Sequence, residues 1–368
     1  MTYTVERVTV EGAFDALAED WTRLYRRCAT ATPFQSHAWL SSWWHTYGRP
    51  GDLRLLLVRT GGELVAAAPL MRVRRPWPAL VTLGGAVSDY GDVLLDDAHG
   101  RAAADALTGA LAAAARTALI DLREVRPGAA AERVLARWRG PRHRLDDSLC
   151  LELPAVPMAG LVARLPSGKS QQRVRAKLRK LDRLGVQRHV VPPDGVDAAL
   201  ARLLELHRLQ WAGRRVTPEH LRPRFRAHLA GAVGPMVRAG DAVVTEFRLD
   251  GEVVAVDVTL MSPQVAGGYL YGAHPRLREL RADVAVMLLD ACTTHTKDGA
   301  HATLSLLRGD EPYKHHWRPE PVVNGRLLLA RRRTAPLLAA ALADAAARRR
   351  GRELLRRRGR DAGGRPGR

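Results

Sequence analysis

Cysteine is scarce in this 368-residue chain. Only Cys28, Cys150 and Cys292 occur, far apart and without a CxxC pair, so neither a disulfide scaffold nor a zinc site is indicated. A reduced, cytoplasmic setting is expected. Long apolar runs are also missing. No stretch approaches the ~18 uncharged apolar residues that a membrane span needs. The alanine-rich segment Ala102 to Ile120 is interrupted by Asp105 and Arg116 and reads as a helix of a globular body. Met1 to Val10 has no apolar core of the secretory type. Lysine is nearly absent: Lys169, Lys177, Lys180, Lys297 and Lys314 are the whole set. The net charge of +20 is therefore an arginine charge. With abundant Ala and Gly it reads as a bias of the entire chain, which weakens a nucleic-acid reading. The charge is also uneven: from Arg331 onward thirteen arginines face Asp344, Glu353 and Asp361, a net of +10.

What the chain does have is length for two domains and 46% apolar residues to build their cores. Apolar residues at helical spacing mark Phe14 to Cys28, and Ser36 can cap a second helix carrying Trp39, Leu40, Trp43 and Trp44. The aromatic run Trp39, Trp43, Trp44 and Tyr47 reads as core. Leu53–Arg59 and Leu64–Val73 are strands joined at Gly61-Gly62. Leu80–Leu83 and Asp92–Leu95 are further strands, 102–118 a helix and Leu119–Val125 a strand. After a Pro/Gly-rich connection over 154–170 comes a basic helix, Gln171–Leu184, with Val174, Leu178, Leu181 and Leu184 on one stripe. Helices follow over 198–211 and 218–233.

The remainder repeats the plan. Val243–Leu249 and Val253–Met261 form a hairpin about Asp250-Gly251. A strand over 265–271, a helix over 283–297, a buried strand over 302–307, a short helix near 311–317 and a strand over 322–330 complete it. Gly62-Glu63-Leu64-Val65-Ala66 matches Gly251-Glu252-Val253-Val254-Ala255, and the element order agrees on both sides. Two copies of one fold are expected, bounded at 1–155 and 156–330, with 331–368 as a basic tail. That tail should be helical over 336–347 and disordered after Gly351.

The carriers of a family resemblance are Pro33-Phe34-Gln35-Ser36-His37-Ala38-Trp39-Leu40, Ser88-Asp89-Tyr90-Gly91-Asp92, the basic helix around Arg173 to Arg183, Leu206-His207-Arg208 with Trp211, and Arg308-Gly309-Asp310-Glu311-Pro312-Tyr313-Lys314 with Trp317. Over residues 30–330 the chain resembles GNAT-superfamily acyltransferases. Within them it is similar to the BioF2-like, or CelD (BcsL)-type, acetyltransferases and to the FemABX-type tandem-GNAT transferases. The resemblance implies an α/β fold (mixed α+β), with two GNAT-like halves, each a mostly antiparallel sheet flanked by helices. It also implies acyl-CoA (acetyl-CoA) as co-substrate, an amine-bearing acceptor and no metal.

On that resemblance the pantetheine arm lies between two splayed strands and a helix N-terminus receives the pyrophosphate. That helix begins near Ala282-Asp283, after Arg276, Arg278 and Arg281, which with Tyr271 and Lys314 are the expected cofactor-binding set. The usual glycine-rich phosphate loop is absent: Arg278 to Val284 contains no glycine, and Asp283 would oppose an anion. Tyr313 holds the place of the acid that protonates the leaving thiolate. Asp257, His207 and His274 are candidate bases. Asp257 is a carboxylate inside an apolar strand, so it either faces a cleft or is a partnered core group. Asp89, Tyr90, Trp211 and Arg308 are expected on the acceptor side, and Asp310 and Glu311 at the start of the short helix.

Three functions compete on this evidence. One is acyl-CoA-dependent transfer of an acyl group, acetyl above all, to an amine of a small molecule or a cell-envelope or polysaccharide precursor. The second keeps the fold and takes the acyl group from aminoacyl-tRNA. The third is a non-enzymatic basic adaptor on nucleic acid or an anionic membrane surface, which the tail could also contact in an enzyme.

Overall fold

The computed structural model describes residues 2–210, 217–296 and 301–363. The chain opens with β1 (Thr4–Val8), α1 (Glu11–Asp15), α2 (Ala18–Arg27) and α3 (His37–Tyr47). The expected hairpin follows as β2 (Leu55–Thr60) and β3 (Glu63–Ala68), then β4 (Leu70–Val73), β5 (Ala79–Thr82) and the short β6 (Leu94–Leu95). The first half closes with α4 (Gly100–Ala114), β7 (Leu119–Val125), α5 (Ala130–Arg137) and β8 (Arg142–Pro154). Next come α6 (Met158–Ala163), α7 (Gly168–Leu184), β9 (Gln187–Val190), α8 (Val196–Gln210) and α9 (Pro223–Ala239). The second half continues with β10 (Ala242–Leu249), β11 (Glu252–Met261), β12 (Val265–Ala273), α10 (Arg276–Glu279) and α11 (Val284–Thr294). It ends with β13 (Thr303–Arg308), α12 (Pro312–His315), β14 (Glu320–Leu329) and α13 (Ala335–Gly363).

Local chemistry explains the legible elements. Ser36 accepts the Trp39 N–H at 3.3 Å and caps α3. Asp250 and Gly251 both take positive φ, 54° and 83°, the geometry a two-residue hairpin turn requires. The aromatic run of α3 is buried as expected, with Trp39, Trp43 and Trp44 in the largest core.

The strands form a four-stranded sheet, β1-β2-β3-β6, and a ten-stranded sheet, β4-β5-β7-β14-β8-β13-β12-β11-β10-β9. Pro69 splits the expected strand Leu64–Val73: β3 stays in the first sheet and β4 joins the second. The repeat holds at the level of pairing. Each half has an antiparallel run ending in a parallel pair, β5 on β7 in the first and β12 on β13 in the second. The closing strands are exchanged. β8, from the first half, pairs with β13 of the second, and β14, from the second, pairs with β7 of the first. β8 and β14 pair with each other antiparallel at the centre.

Several elements escape the sequence reading. β8 begins with Arg142-His143-Arg144 and carries Asp146-Asp147, and only Cys150 to Leu153 are fully buried. Its pattern is therefore neither alternating nor continuously apolar. β9 is exposed throughout at the sheet edge. The connection 154–170 contains α6, whose Met158, Leu161 and Val162 are buried. The tail differs too: α13 runs to Gly363 rather than ending at Gly351. One interior glycine costs a helix only about 1 kcal/mol, and the neighbouring Arg and Leu are good helix formers. Leu338 and Ala341 anchor α13 on Ala79, Leu119, Leu328 and Ala330.

Buried Asp92 ties the first half together: it accepts the Ala130, Ala131 and Val93 N–H groups at 2.8, 2.7 and 2.8 Å. Asp92→Ala would leave buried donors at the start of α5 without partners. A loss of about 3 kcal/mol in urea unfolding is expected, and a change under about 0.5 kcal/mol would show that water replaces the carboxylate.

Candidate functional site

β12 and β13 are paired only at Val265–Thr303 and Ala266–Leu304. Beyond these they part, and a cavity of about 480 Å³ opens between them. Two glycines permit this arrangement. A Cβ on Gly267 would stand 2.6 Å from the Ser305 carbonyl oxygen, so β12 and β13 can approach at their paired end only with glycine there. A Cβ on Gly272 would stand 2.3 Å from the Leu203 carbonyl oxygen, so glycine also lets α8 lie directly on β12. A bulge in β12 against Val258 and Thr259 leaves Tyr269 out of register, and Gly268 and Tyr269 of this bulge line the cavity.

The cavity collects Asp257, His207, Tyr271, Tyr313, Lys314, Asp89 and Arg308 from the expected set. Asp257, on β11 opposite Tyr271, is buried and accepts the Thr259 hydroxyl at 2.9 Å. Burial pushes its carboxyl up to about 7, against the lowering effect of that hydroxyl. Tyr313 is 45% exposed, at the rim. Its phenol is raised by burial, Glu311 and Tyr271, so it remains protonated through the working pH range. The His207 Nδ1 lies 2.8 Å from the Tyr271 carbonyl oxygen, which selects the Nδ1–H tautomer. Its Nε2 lies 3.4 Å from Nδ1 of His220. Burial lowers both rings, His220 to about 4, so both are neutral near pH 7. His220, Cys292 and Gly268 are cavity residues that no sequence signal announced.

Other expectations are corrected. His274 is exposed, its Nδ1 accepts the Arg276 N–H at 3.1 Å, and it does not line the cavity. Arg276, Arg278 and Arg281 also lie outside the lining, and Arg276 pairs with Asp250 at 2.6 Å. Lys314 is buried and committed to the Arg308 carbonyl and to Glu311, at 3.0 and 2.8 Å, so it is not free for phosphate. Asp310 bonds His315 rather than capping α12. Tyr90 is in the core between the halves, its hydroxyl 3.1 Å from Glu152 and 2.8 Å from Ser305. Trp211 lies outside the described residues.

In the first half, the strand end of β7 that follows its pairing with β5 is covered by the chain itself. After β5, the segment 83–93 returns onto β7: the Gly91 N–H donates to the Glu124 carbonyl at 2.9 Å, and a Cβ there would stand 2.3 Å from the Arg123 carbonyl oxygen. The same segment delivers Ala86, Val87 and Asp89 to the wall of the second-half cavity. Arg308 holds it there, pairing with Asp89 at 2.9 Å and Glu124 at 3.2 Å and donating to the Ala86 carbonyl at 2.6 Å. Arg308→Ala would take the cation from two part-buried carboxylates, Asp89 and Glu124. A loss of about 1–3 kcal/mol in denaturant unfolding is expected; unchanged stability would show that the pairs are only geometric.

The helix expected to receive a diphosphate is already capped. Asp283 accepts the Val286 N–H at 3.0 Å at the start of α11, and Lys177 of α7 pairs with it at 2.7 Å. The start of α11, where an anion would be received, is thus taken by a carboxylate.

Comparison with known proteins agrees with this geometry. Residues 168–315 match the model of the acetyltransferase (GNAT) domain. No curated protein matches the sequence. Among solved structures, FemX superposes with a TM-score of 0.60 at 12% identity, covering 90% of this chain and 99% of that one. The structure of L-PGS from Bacillus licheniformis gives 0.55 at 14% identity, covering 87% and 94%. The C-terminal domain of a putative lysylphosphatidylglycerol synthetase from Agrobacterium fabrum gives 0.55 at 12%, covering 90% and 96%. These likenesses concern the fold. Residues 168–315 thus form an acetyltransferase (GNAT) domain, set in a fold that the whole chain shares with FemX.

Proposed function

We propose that the chain transfers an acyl group from a pantetheine-type thioester, as in acyl-CoA, to the amine of a small molecule or a cell-envelope or polysaccharide precursor. The observation that carries this reading is Asp257: a buried carboxyl, raised to about 7, on the wall of the cleft between splayed strands. An ammonium group entering the cleft meets a base matched to neutral pH. Asp257 takes one proton from it, and the neutral nitrogen attacks the thioester carbonyl, whose oxygen faces the bulged backbone of β12. The C–N bond forms and the C–S bond breaks. Tyr313 offers its O–H to the departing sulfur, and the second amine proton returns through solvent to restore the phenol. One amine and one thioester become one amide and one thiol.

Asp257→Asn tests the base. In the wild type, kcat/KM should rise with pH and level off near 7, since the carboxyl must lose its proton to act. The variant should lose that limb and about 10²–10⁴-fold in rate. Retention of the limb would assign it to another group. Tyr313→Phe should lower kcat by a similar factor with little change in KM for the donor. Near-normal turnover, with the fold intact, would reduce Tyr313 to packing.

The capped start of α11 favours a second reading, in which the same chemistry draws on aminoacyl-tRNA. Measuring which of acetyl-CoA and aminoacyl-tRNA raises the melting temperature separates the two.

A further inference from the structure

The donor site poses a physical puzzle. A coenzyme diphosphate would need the free N–H groups at a helix start, but Asp283 fills that position on α11 and α10 replaces the glycine loop. Beside this closed seat lies a strongly basic helix, α7, joined to it by the Lys177–Asp283 pair. α7 turns Val174, Leu178 and Leu181 inward. Outward it carries Lys169, Arg173, Arg175, Lys177, Arg179, Lys180 and Arg183 against Asp182. Among the described residues the carboxylate that pairs with this face is Asp283, on Lys177. So α7 ends its one inter-helix ion pair where the cavity meets the first turn of α11, at Ala285. The lining of that cavity includes an apolar group: Leu288 and Leu289 from α11, Leu304 and Leu306 from β13, and Trp317.

We infer that the acyl donor arrives on an acidic carrier protein, which docks on α7 and threads an acylated phosphopantetheine arm into the cavity. This inference rests on the thioester reading above. A carrier-bound arm has a single phosphate diester and no nucleotide, so the diphosphate seat that Asp283 closes is not needed. The cations of α7 supply the recognition that the missing seat would have given. The 17 residues of the helix form a strip of about 25 Å, the footprint of one acidic helix laid alongside it. The apolar wall favours an alkyl chain over the aminoacyl end of a nucleic acid, which would bring its own charged ammonium group.

Octanoyl-carrier protein, octanoyl-CoA, octanoyl-pantetheine and bulk tRNA are the probes, with affinities from calorimetry and melting temperatures for the small thioester. The carrier protein should bind at least about tenfold tighter than octanoyl-CoA, with a strong salt dependence. Arg173→Glu with Arg179→Glu should weaken the carrier protein by about tenfold or more and leave the melting shift from octanoyl-pantetheine unchanged. If that double variant does not fold, Arg173→Gln with Arg179→Gln should show a smaller loss of the same kind. Equal or tighter binding of octanoyl-CoA overturns the inference, as does carrier binding indifferent to the α7 charges, and both leave the thioester reading standing. Tight tRNA binding that depends on Arg173 and Arg179 and displaces the carrier protein also overturns it. Failure of octanoyl-pantetheine to shift the melting temperature counts instead against the thioester reading itself.

Discussion

The central pair of β8 and β14 is the constraint on which the rest of the molecule depends. Each closes its own half by pairing into the other. Neither half completes its sheet alone, and the two parallel strand pairs are held at a fixed separation across three shared ladders, β7 with β14, β14 with β8 and β8 with β13. The network at the end of β7 and β13 shows what this accomplishes. Glu124 and Leu307 both take positive φ, 56° and 57°, at corresponding places in the two halves, and bend their strands there. Arg308, just past one bend, then reaches Glu124 at the other. This part-buried cation is held between two carboxylates in a geometry the backbone enforces.

This frame explains why two similar halves yield one cleft. The Ser88-Asp89-Tyr90-Gly91-Asp92 segment lies over the end of β7, and each of its residues is engaged. Ser88 accepts from the Trp39 indole at 2.8 Å, Asp89 holds Arg308, Tyr90 bonds Glu152 and Ser305, Gly91 bonds β7 and Asp92 caps α5. The first half thereby becomes a wall of the second-half cavity. Tyr269 binds it from the other side, donating to the Val87 carbonyl at 2.8 Å. Duplication has been converted into support for a single site.

Electrostatics in that site follow from the same economy. Arg308 and Lys314 are cations on the cavity wall, but their charges are answered by Asp89, Glu124 and Glu311. The neighbouring histidines are neutral by burial. Asp257 is left as the cavity's carboxyl without a cationic partner among the described residues, held by a hydroxyl alone. Among the described cavity residues, Asp257 is thus the carboxyl that burial raises to about 7.

The hairpins, the capped helix α3, the repeated order of elements and the motif around Tyr313 were legible in the amino-acid sequence. Each rests on local chemistry: a turn that needs glycine, a serine before a helix, an apolar period of two or 3.6. Asp257 was legible as an anomaly, a charge in an apolar strand. Whether it faced a cleft or a core partner depended on where β12 and β13 part, which no local pattern records. The polar first half of β8 hid the exchanged strand, because that strand is stabilised by its two neighbours rather than by its own periodicity. His274 and the arginines of 276–281 carried the right residue types and were placed elsewhere by the turn into α10. The sequence by itself thus determined the elements and the family of chemistry. Tertiary structure decided which strands close which half, which groove stays open and which charges are left over, because those are set by long-range pairing and burial.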